Sequence, residues 1–396
     1  MDEFVVGNRY FKKGISRNVL LLGAVSFLND LSSEMIIPIL PLFISALGGA
    51  GLVVGLIGGL RDSVSSIIQV LSGYWSDRTA KRKIFVTSGY VTSSIFKLFL
   101  AFSTTWHHIL IFAGLERVGK GLRRAPRDAI IADSMPHERG KGFGIHKALD
   151  TSGAISGTIV VFLLFWFLGF DFKSLILISA IIAFLSLIPL HFVRERKREP
   201  RQITLKIGLN SLPKPLKLFI LISGIFALGN FSYMFFLLRV QESFAGKLSV
   251  GIPILSYMIF NVFYAVFSIP FGILSDRIGR KKVILSGYLL FSLTSLGFAL
   301  FKSLTALVVL FALYGMVYAM IDGNQRAFVS DLSSEELGAT ALGTFHTAVG
   351  LAALPASLIA GFLWQSISPS ITFVYGSVLS IISVVLFVAF RNCFTR

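Results

Sequence analysis

Apolar residues run in blocks of about twenty along almost the whole chain, parted by short polar connections. A hydrocarbon layer about 30 Å thick takes roughly 20 such residues as a helix rising about 1.5 Å per residue. Stretches of this kind occupy 18–46, 51–75, 84–104, 107–133, 141–168, 173–193, 216–243, 249–274, 283–301, 304–330, 338–364 and 369–390. The pattern predicts an all-α membrane protein with twelve transmembrane helices. Residues 1–16 (MDEFVVGNRYFKKGIS) are too polar for the apolar core of a signal peptide, so the first helix is expected to stay in the mature chain.

Composition narrows the alternatives. Of 396 residues 54% are hydrophobic and 14% charged, with 38 Phe; soluble domains carry about 25% charged residues. A soluble globule could not cover that much apolar surface, and disordered chains are poor in apolar residues. Cys393 is the sole cysteine, which excludes a disulfide framework or a cysteine-based zinc site.

The net charge is +17, from 37 Lys+Arg against 20 Asp+Glu. A basic balance often marks a nucleic-acid partner, but placement decides the matter. The tails and even-numbered connections hold most of the cations, among them Arg9, Lys12, Lys13, Arg17, Arg78, Lys81, Arg82, Lys83, Arg194, Arg196, Arg277 and Lys282. The odd-numbered connections hold only Lys173, Lys247 and Lys302. The positive-inside rule then puts both termini in the cytoplasm of a multi-pass protein of the cell membrane, with the lipid bilayer as partner and no nucleic acid. The longest polar stretch, 194–217, reads as a solvated cytoplasmic linker, with a lipid-headgroup or nucleic-acid patch as the alternative. It divides the chain into a bundle at 1–193, a linker at 194–215 and a bundle at 216–396.

An internal repeat joins the two bundles. Gly73-Tyr-Trp-Ser-Asp77-Arg78-Thr-Ala-Lys81-Arg82 closes the second span, and Gly272-Ile-Leu-Ser-Asp276-Arg277-Ile-Gly-Arg280-Lys281 closes the eighth. Asp133 matches Asp331, and Asn29 matches Asn230, at nearly the same offset. Two six-helix halves in parallel register are a transporter architecture.

On these residues the chain resembles the major facilitator superfamily (MFS) over essentially its whole length. The family's loop signature G-x-x-x-D-R-x-G-R-K lies at Gly73–Arg82, with Ala80 in place of the second Gly, and nearly intact at Gly272–Lys281. Arg117 and Gly121 match its R-x-x-x-G pattern on helix four. The runs Arg117–Ser134 and Phe27–Glu34 resemble a large prokaryotic permease subgroup, while the Gly-Pro signature of drug antiporters is absent from 141–168. The resemblance implies two pseudo-symmetric six-helix bundles, alternating access, and a cytoplasmic gate. The gate residues would be Gly73, Asp77, Arg78, Lys81 and Asp133 in one half, and Gly272, Asp276, Arg277, Arg280 and Asp331 in the other. The gate would hold the outward-facing state closed on the inside. Helix capping and orientation charge are the plainer explanation of the same residues.

Ionisable residues inside spans are costly and therefore candidates for function. Asp30 and Glu34 on helix one, Asp62 on helix two, Glu116 on helix four, and His146 and Asp150 on helix five are candidates for proton coupling. Asp30 or Glu34 is expected to face Arg117, forming a pair that loads and releases a proton; a static ion pair is the alternative. Arg117, Lys120, Arg124 and Arg127 share one helical stripe, which suits a carboxylate or phosphate. Mid-membrane polar groups of the second half are mainly neutral: Asn230, Tyr233, Tyr257, Asn261, Tyr264, Tyr314 and Tyr318, with His346 lower down. With Asn29, Arg117, Lys120 and Arg124 they are the substrate-binding candidates, though any one Tyr could be a packing residue. Gly153 and Gly157 are spaced for close helix packing, and Pro38 and Pro41 for a break near the outer end of helix one. His107 and His108 lack further metal ligands nearby.

The expected function is therefore a secondary active transporter of a small organic solute, proton-coupled by the placement of its acids, and leaning to export of an anionic or amphipathic compound. Proton-coupled uptake of an organic anion or metal chelate is the alternative, and a non-transporting receptor a remote one. No nucleophile–base set, HExxH or Walker loop marks an enzyme or a pump. Neither a cofactor nor a resident metal is expected, and twelve helices suffice for a monomer.

Overall fold

The computed structural model describes residues 15–195, 212–333 and 338–394. Most of the linker, and the charges Arg9, Lys12, Lys13, Arg196 and Arg201, lie outside the described residues. The helices are α1 (Arg17–Ile36), α2 (Leu40–Ala46), α3 (Gly51–Thr79), α4 (Arg82–Ala101), α5 (Trp106–Ser134), α6 (Arg139–Trp166), α7 (Phe172–Leu185) and α8 (Leu187–His191) in the first half. The second half has α9 (Lys214–Gly229), α10 (Met234–Gln241), α11 (Leu248–Ile278), α12 (Arg280–Leu300), α13 (Leu304–Leu332), α14 (Gly338–Ser366) and α15 (Pro369–Ala389).

Three spans are broken helices. The first breaks between α1 and α2, where Pro38 precedes α2 and Pro41 lies in its first turn. The sixth breaks at Ser186 and the seventh at Asn230–Tyr233. Eleven stretches among the described residues are long and apolar enough to cross a bilayer. The twelfth span is α5, whose 29 residues reach about 43 Å at 1.5 Å each. Its charges take it out of the apolar class, and it survives in the bundle because its main neighbours are α3 and α4 rather than lipid. Gly89 and Gly119 let α4 and α5 approach backbone to backbone: a Cβ on Gly89 would lie 2.6 Å from the Gly119 carbonyl oxygen. Gly153 and Gly157 do the same for α6 against Phe27 and Leu31 of α1.

The two cores differ in kind. The second half has one continuous aromatic core, with Phe219, Phe236, Phe291, Phe298 and Phe373 all buried. The first half has two separate apolar clusters, one around Met35, Leu42, Ile57 and Ile109, the other around Val19, Leu22, Val86 and Ile131. Charged side chains fill the level between them: Arg61, Lys97, Glu116 and Arg117 are all less than a tenth exposed. Asp171 caps α7; hydrogen bonds from Ser174 hold its carboxyl below the ordinary aspartate range.

The halves meet at the end away from the chain termini. Gly51, Gly55 and Gly59 of α3 lie against Trp364, Ser357 and Leu354 of α14. At mid-depth Ser63 Oγ donates to the Gly350 carbonyl at 2.6 Å. Lys247 Nζ donates to the Trp166 carbonyl at 2.5 Å and sits 5.0 Å from that ring's centre. On the terminal side Lys147 and Arg326 expose 65% and 49% of their side chains. Lys147 acts on Asp322, and Arg124 acts on His346, electrostatically across the space between the halves. A cleft thus opens toward the termini and is closed at the opposite end.

Candidate functional site

The floor of the cleft is built mainly from α1, α3, α5 and α6. On α5, successive charges turn to different partners. Glu116 lies 3.3 Å from Arg117 Nε and 3.7 Å from Arg61 Nη2. Arg123 turns away from the cleft, donating to Ser93 Oγ at 2.6 Å and lying over the Tyr90 ring. Arg127 pairs with Asp128 at 3.0 Å and donates to Ser26 Oγ. Lys120 and Arg124, one turn apart, take part in no ion pair among the described residues. Arg124 is exposed to the cleft.

This arrangement corrects the expected pairing of Asp30 or Glu34 with Arg117: the nearest acid to Arg117 is its neighbour Glu116. An acid on the same helix reaches the guanidinium without either side chain crossing the cleft. Glu34 instead accepts a hydrogen bond from Asn261 Nδ2 of the second half at 3.2 Å. Asp30 accepts one from Asn29 Nδ2 at 3.3 Å. The Asp30 carboxyl also meets that of Asp150 on α6. One turn below, Ser26 Oγ and His146 Nε2 are 2.8 Å apart, so α1 and α6 pair Ser26 with His146 and Asp30 with Asp150 in one register. Asp150 is in turn held by Lys147 Nζ at 3.0 Å. Asp62 is exposed at the cleft and acts electrostatically on Arg117, Tyr233 and Tyr318.

Across the cleft the tyrosines separate into two groups. Tyr233 bridges the halves, its hydroxyl accepting from Arg61 Nη1 at 3.2 Å and donating to the Ile37 carbonyl at 3.4 Å. Tyr257 lies beside Glu34. Tyr264 donates to Asp322 Oδ2 at 2.8 Å, and Asp322 pairs with Arg326. Tyr318 accepts from Asn230 Nδ2 at 3.5 Å. Tyr314, by contrast, is 1% exposed and stacks on Phe236 at 4.3 Å. Asn29 is also 1% exposed. Both were expected to touch a solute; aromatic packing and helix contact enclose them instead.

The duplicated loop signature forms two ion clusters, each inside its own half. Arg82 joins Asp77 at 2.5 Å and Asp133 at 2.6 Å. Arg280 joins Asp331 at 2.6 Å and Asp276 at 3.6 Å. The cation of the first cluster is Arg82, not the expected Lys81. The first connection is one residue longer, so Lys81 becomes the residue before α4 and Arg82 takes its first position, as Arg280 does on α12. Arg78 reaches only Tyr74 in its own helix, and Arg277 stays exposed. Gly73 approaches Ala125 of α5, whereas Gly272 has open space. With the cleft open on this side, the clusters tie helices within a half rather than one half to the other.

Three site residues escaped the sequence reading. Arg82 was hidden by the loop-length difference. Glu195 accepts from the backbone N–H groups of Arg82 (2.5 Å) and Lys83 (3.1 Å), capping α4 from 113 and 112 residues away. Lys97, alone among apolar neighbours on helix three, did carry a signal: a lysine at mid-span.

The Major Facilitator Superfamily model matches residues 22–256 and 219–393. An uncharacterized MFS-type transporter of Methanocaldococcus jannaschii is 58% identical over 373 residues, covering 93% of this chain and 94% of that protein. The structure of the nucleoside transporter NupG superposes with a TM-score of 0.78 at 17% identity, covering 96% and 99% of the two chains. The human organic anion transporter MFSD10 gives 0.63 at 18%, covering 93% and 98%. At such identities the structural likeness is one of fold.

Proposed function

This chain belongs to the major facilitator superfamily, and we propose that it is a proton-coupled secondary transporter of small organic anions, working as a monomer in the cell membrane. One observation carries the substrate class: Lys120 and Arg124 stand one turn apart on α5, facing the cleft and unmatched by any acid within ion-pair distance among the described residues. An uncompensated cation inside a span is unfavourable, and a carboxylate or phosphate between the two supplies the missing charge with two charge-assisted hydrogen bonds. Opposite, Tyr264 and Tyr318 offer faces and hydroxyls to the organic part of such a solute.

Proton coupling is supported by the meeting of Asp30 with Asp150. Two carboxyl groups in contact share a proton rather than both ionising. Their helices, α1 and α6, face the cleft. Glu34, one turn above Asp30, is bonded to Asn261 of the other half, so a change at this level acts on an inter-half contact. The cleft opens toward the termini, the side that the basic connections assign to the cytoplasm. Collection of anions there supports export.

The test uses purified protein in liposomes with p-aminohippurate as the anionic probe. An imposed pH gradient is expected to drive its movement. Lys120→Gln and Arg124→Gln should each raise the half-saturating concentration about 10- to 100-fold, the worth of one charged hydrogen bond. Asp30→Asn should leave exchange but remove the response to the gradient. Movement of the probe indifferent to both cations would end the anion reading. Gradient-driven accumulation in the opposite sense would make the protein an uptake system for the same class.

A further inference from the structure

Lys97 lies on α4 at the charged level of the first half, 1% exposed. Its ammonium position touches no carboxylate. Nζ is 2.9 Å from Ser32 Oγ, 2.8 Å from Ser33 Oγ and 3.4 Å from the Asn29 carbonyl oxygen. These three neutral acceptors match the three N–H bonds of an ammonium group.

The same cage also fits the neutral amine. Ser32 Oγ donates its own proton to the Ser179 carbonyl at 2.7 Å, while Ser179 Oγ donates to the Ser32 carbonyl at 2.7 Å. That reciprocal pair leaves Ser32 able only to accept from Lys97, and the Asn29 carbonyl is always an acceptor. Ser33 Oγ has Lys97 as its one side-chain partner among the described hydrogen bonds. Its hydroxyl is free to rotate. After loss of one proton the amine keeps two N–H bonds, for Ser32 and Asn29, and gains a lone pair into which the Ser33 hydroxyl donates. Lys97, Ser32 and the Asn29 carbonyl keep their partners in both states, at the cost of one hydroxyl rotation at Ser33.

We propose that Lys97 is a proton-binding site of the transport cycle, with Ser33 as the rotor that lets it hold or release the proton. The proposal deepens the proton-coupled reading and rests on it for its consequence, though the cage itself does not depend on the carboxyl pair. The ionisable groups facing Lys97 are Asp30 from α1, Arg61 from α3, and Glu116, Arg117 and Arg123 from α5. From α7 comes only the Ser179 hydroxyl–carbonyl pair. A cavity of about 10 Å³ bordered by Ser33, Arg61, Lys97 and Glu116 has room for one water, an acceptor for the released proton. Glu116, Arg123, Asp30 and Arg117 all act electrostatically on Lys97, so a change of charge at the carboxyl pair alters proton occupancy at Lys97.

The test needs no substrate. After Cys393→Ser, spin labels are placed on Thr104→Cys and Lys302→Cys, exposed on the closed end of the two halves. Pulsed electron resonance then measures the distance between them at about pH 5 and about pH 9, in nanodiscs, with folding checked by gel filtration. The unsubstituted background is expected to shift its distance distribution with pH. Lys97→Met and Lys97→Arg should each lose the Lys97-dependent part of that shift, the first having no proton to release and the second never releasing one. Ser33→Ala should lose it as well while keeping the lysine, and it carries the test if the Lys97 variants fail to fold. Retention of the full shift in Lys97→Arg, Lys97→Met or Ser33→Ala would overturn the proposal, as would no shift in the background. Loss in Asp30→Asn with retention in Lys97→Met would uphold the carboxyl reading and reject Lys97; the reverse would reject the carboxyl pair and uphold Lys97.

Discussion

Glu116→Gln removes the acid that balances two buried guanidinium groups. Glu116, Arg61 and Arg117 side chains are 5–9% exposed, and the separations are 3.7 Å and 3.3 Å. At an effective dielectric near 20 a unit pair at such a distance attracts by about 5 kcal/mol before desolvation is subtracted. Arg61 keeps its bond to Tyr233, but both cations lose their counter-charge. Stranding a buried partner costs about 3–5 kcal/mol, and Glu116→Gln is expected to fall in that range. Denaturant unfolding in detergent measures it, with Arg61→Met and the double variant completing a cycle. The double variant should recover part of the loss, because it strands one cation rather than two. The pH response of transport should shift rather than vanish, because Glu116 borders the same cavity as Lys97 and its charge acts there. A loss below about 1 kcal/mol would refute the charge-balance argument. A full loss of pH response with normal stability would return Glu116 to the proton carriers.

Other outcomes follow from single contacts. Ala80 ends α3 at φ 53°, the left-handed region; Ala80→Gly should stabilise the protein by about 1 kcal/mol in the same unfolding assay. Arg82→Gln should cost about 2 kcal/mol or more by breaking two ion pairs of a part-buried cluster, and Lys81→Gln less than about 0.5 kcal/mol; equal effects would contradict the assignment of Arg82. A side chain at Gly55 would meet the Ser357 carbonyl of α14. Gly55→Leu should therefore separate the closed end, seen as faster labelling of a cysteine placed at Gly51 by a membrane-impermeant maleimide; unchanged labelling would count against that contact as the seal.

The spans, the repeat and the cation stripe were legible because each is a one-dimensional pattern. Bilayer thickness sets span length, so even the highly charged α5 could be marked at 107–133 against Trp106–Ser134 in the structure. Partnership is a different kind of property. Whether Arg117 meets Asp30, Glu34 or Glu116 depends on helix rotation and on which glycines permit close approach. Tyr314 and Tyr318 look alike in sequence four residues apart, yet one is sealed under Phe236 and the other stands nearer the cleft.

By itself, then, the amino-acid order determined the helical spans, the family likeness and the level at which charge enters the membrane, because hydrophobic length and periodicity are local. Tertiary packing alone decided that no acid among the described residues comes within ion-pair distance of Lys120 or Arg124, that Asp30 meets Asp150, that Arg82 rather than Lys81 binds the two acids, and that three oxygens enclose Lys97. Each of these depends on which side chains the packing of helices brings within about 3 Å and which it keeps apart, the range at which hydrogen bonds and ion pairs select one partner over another.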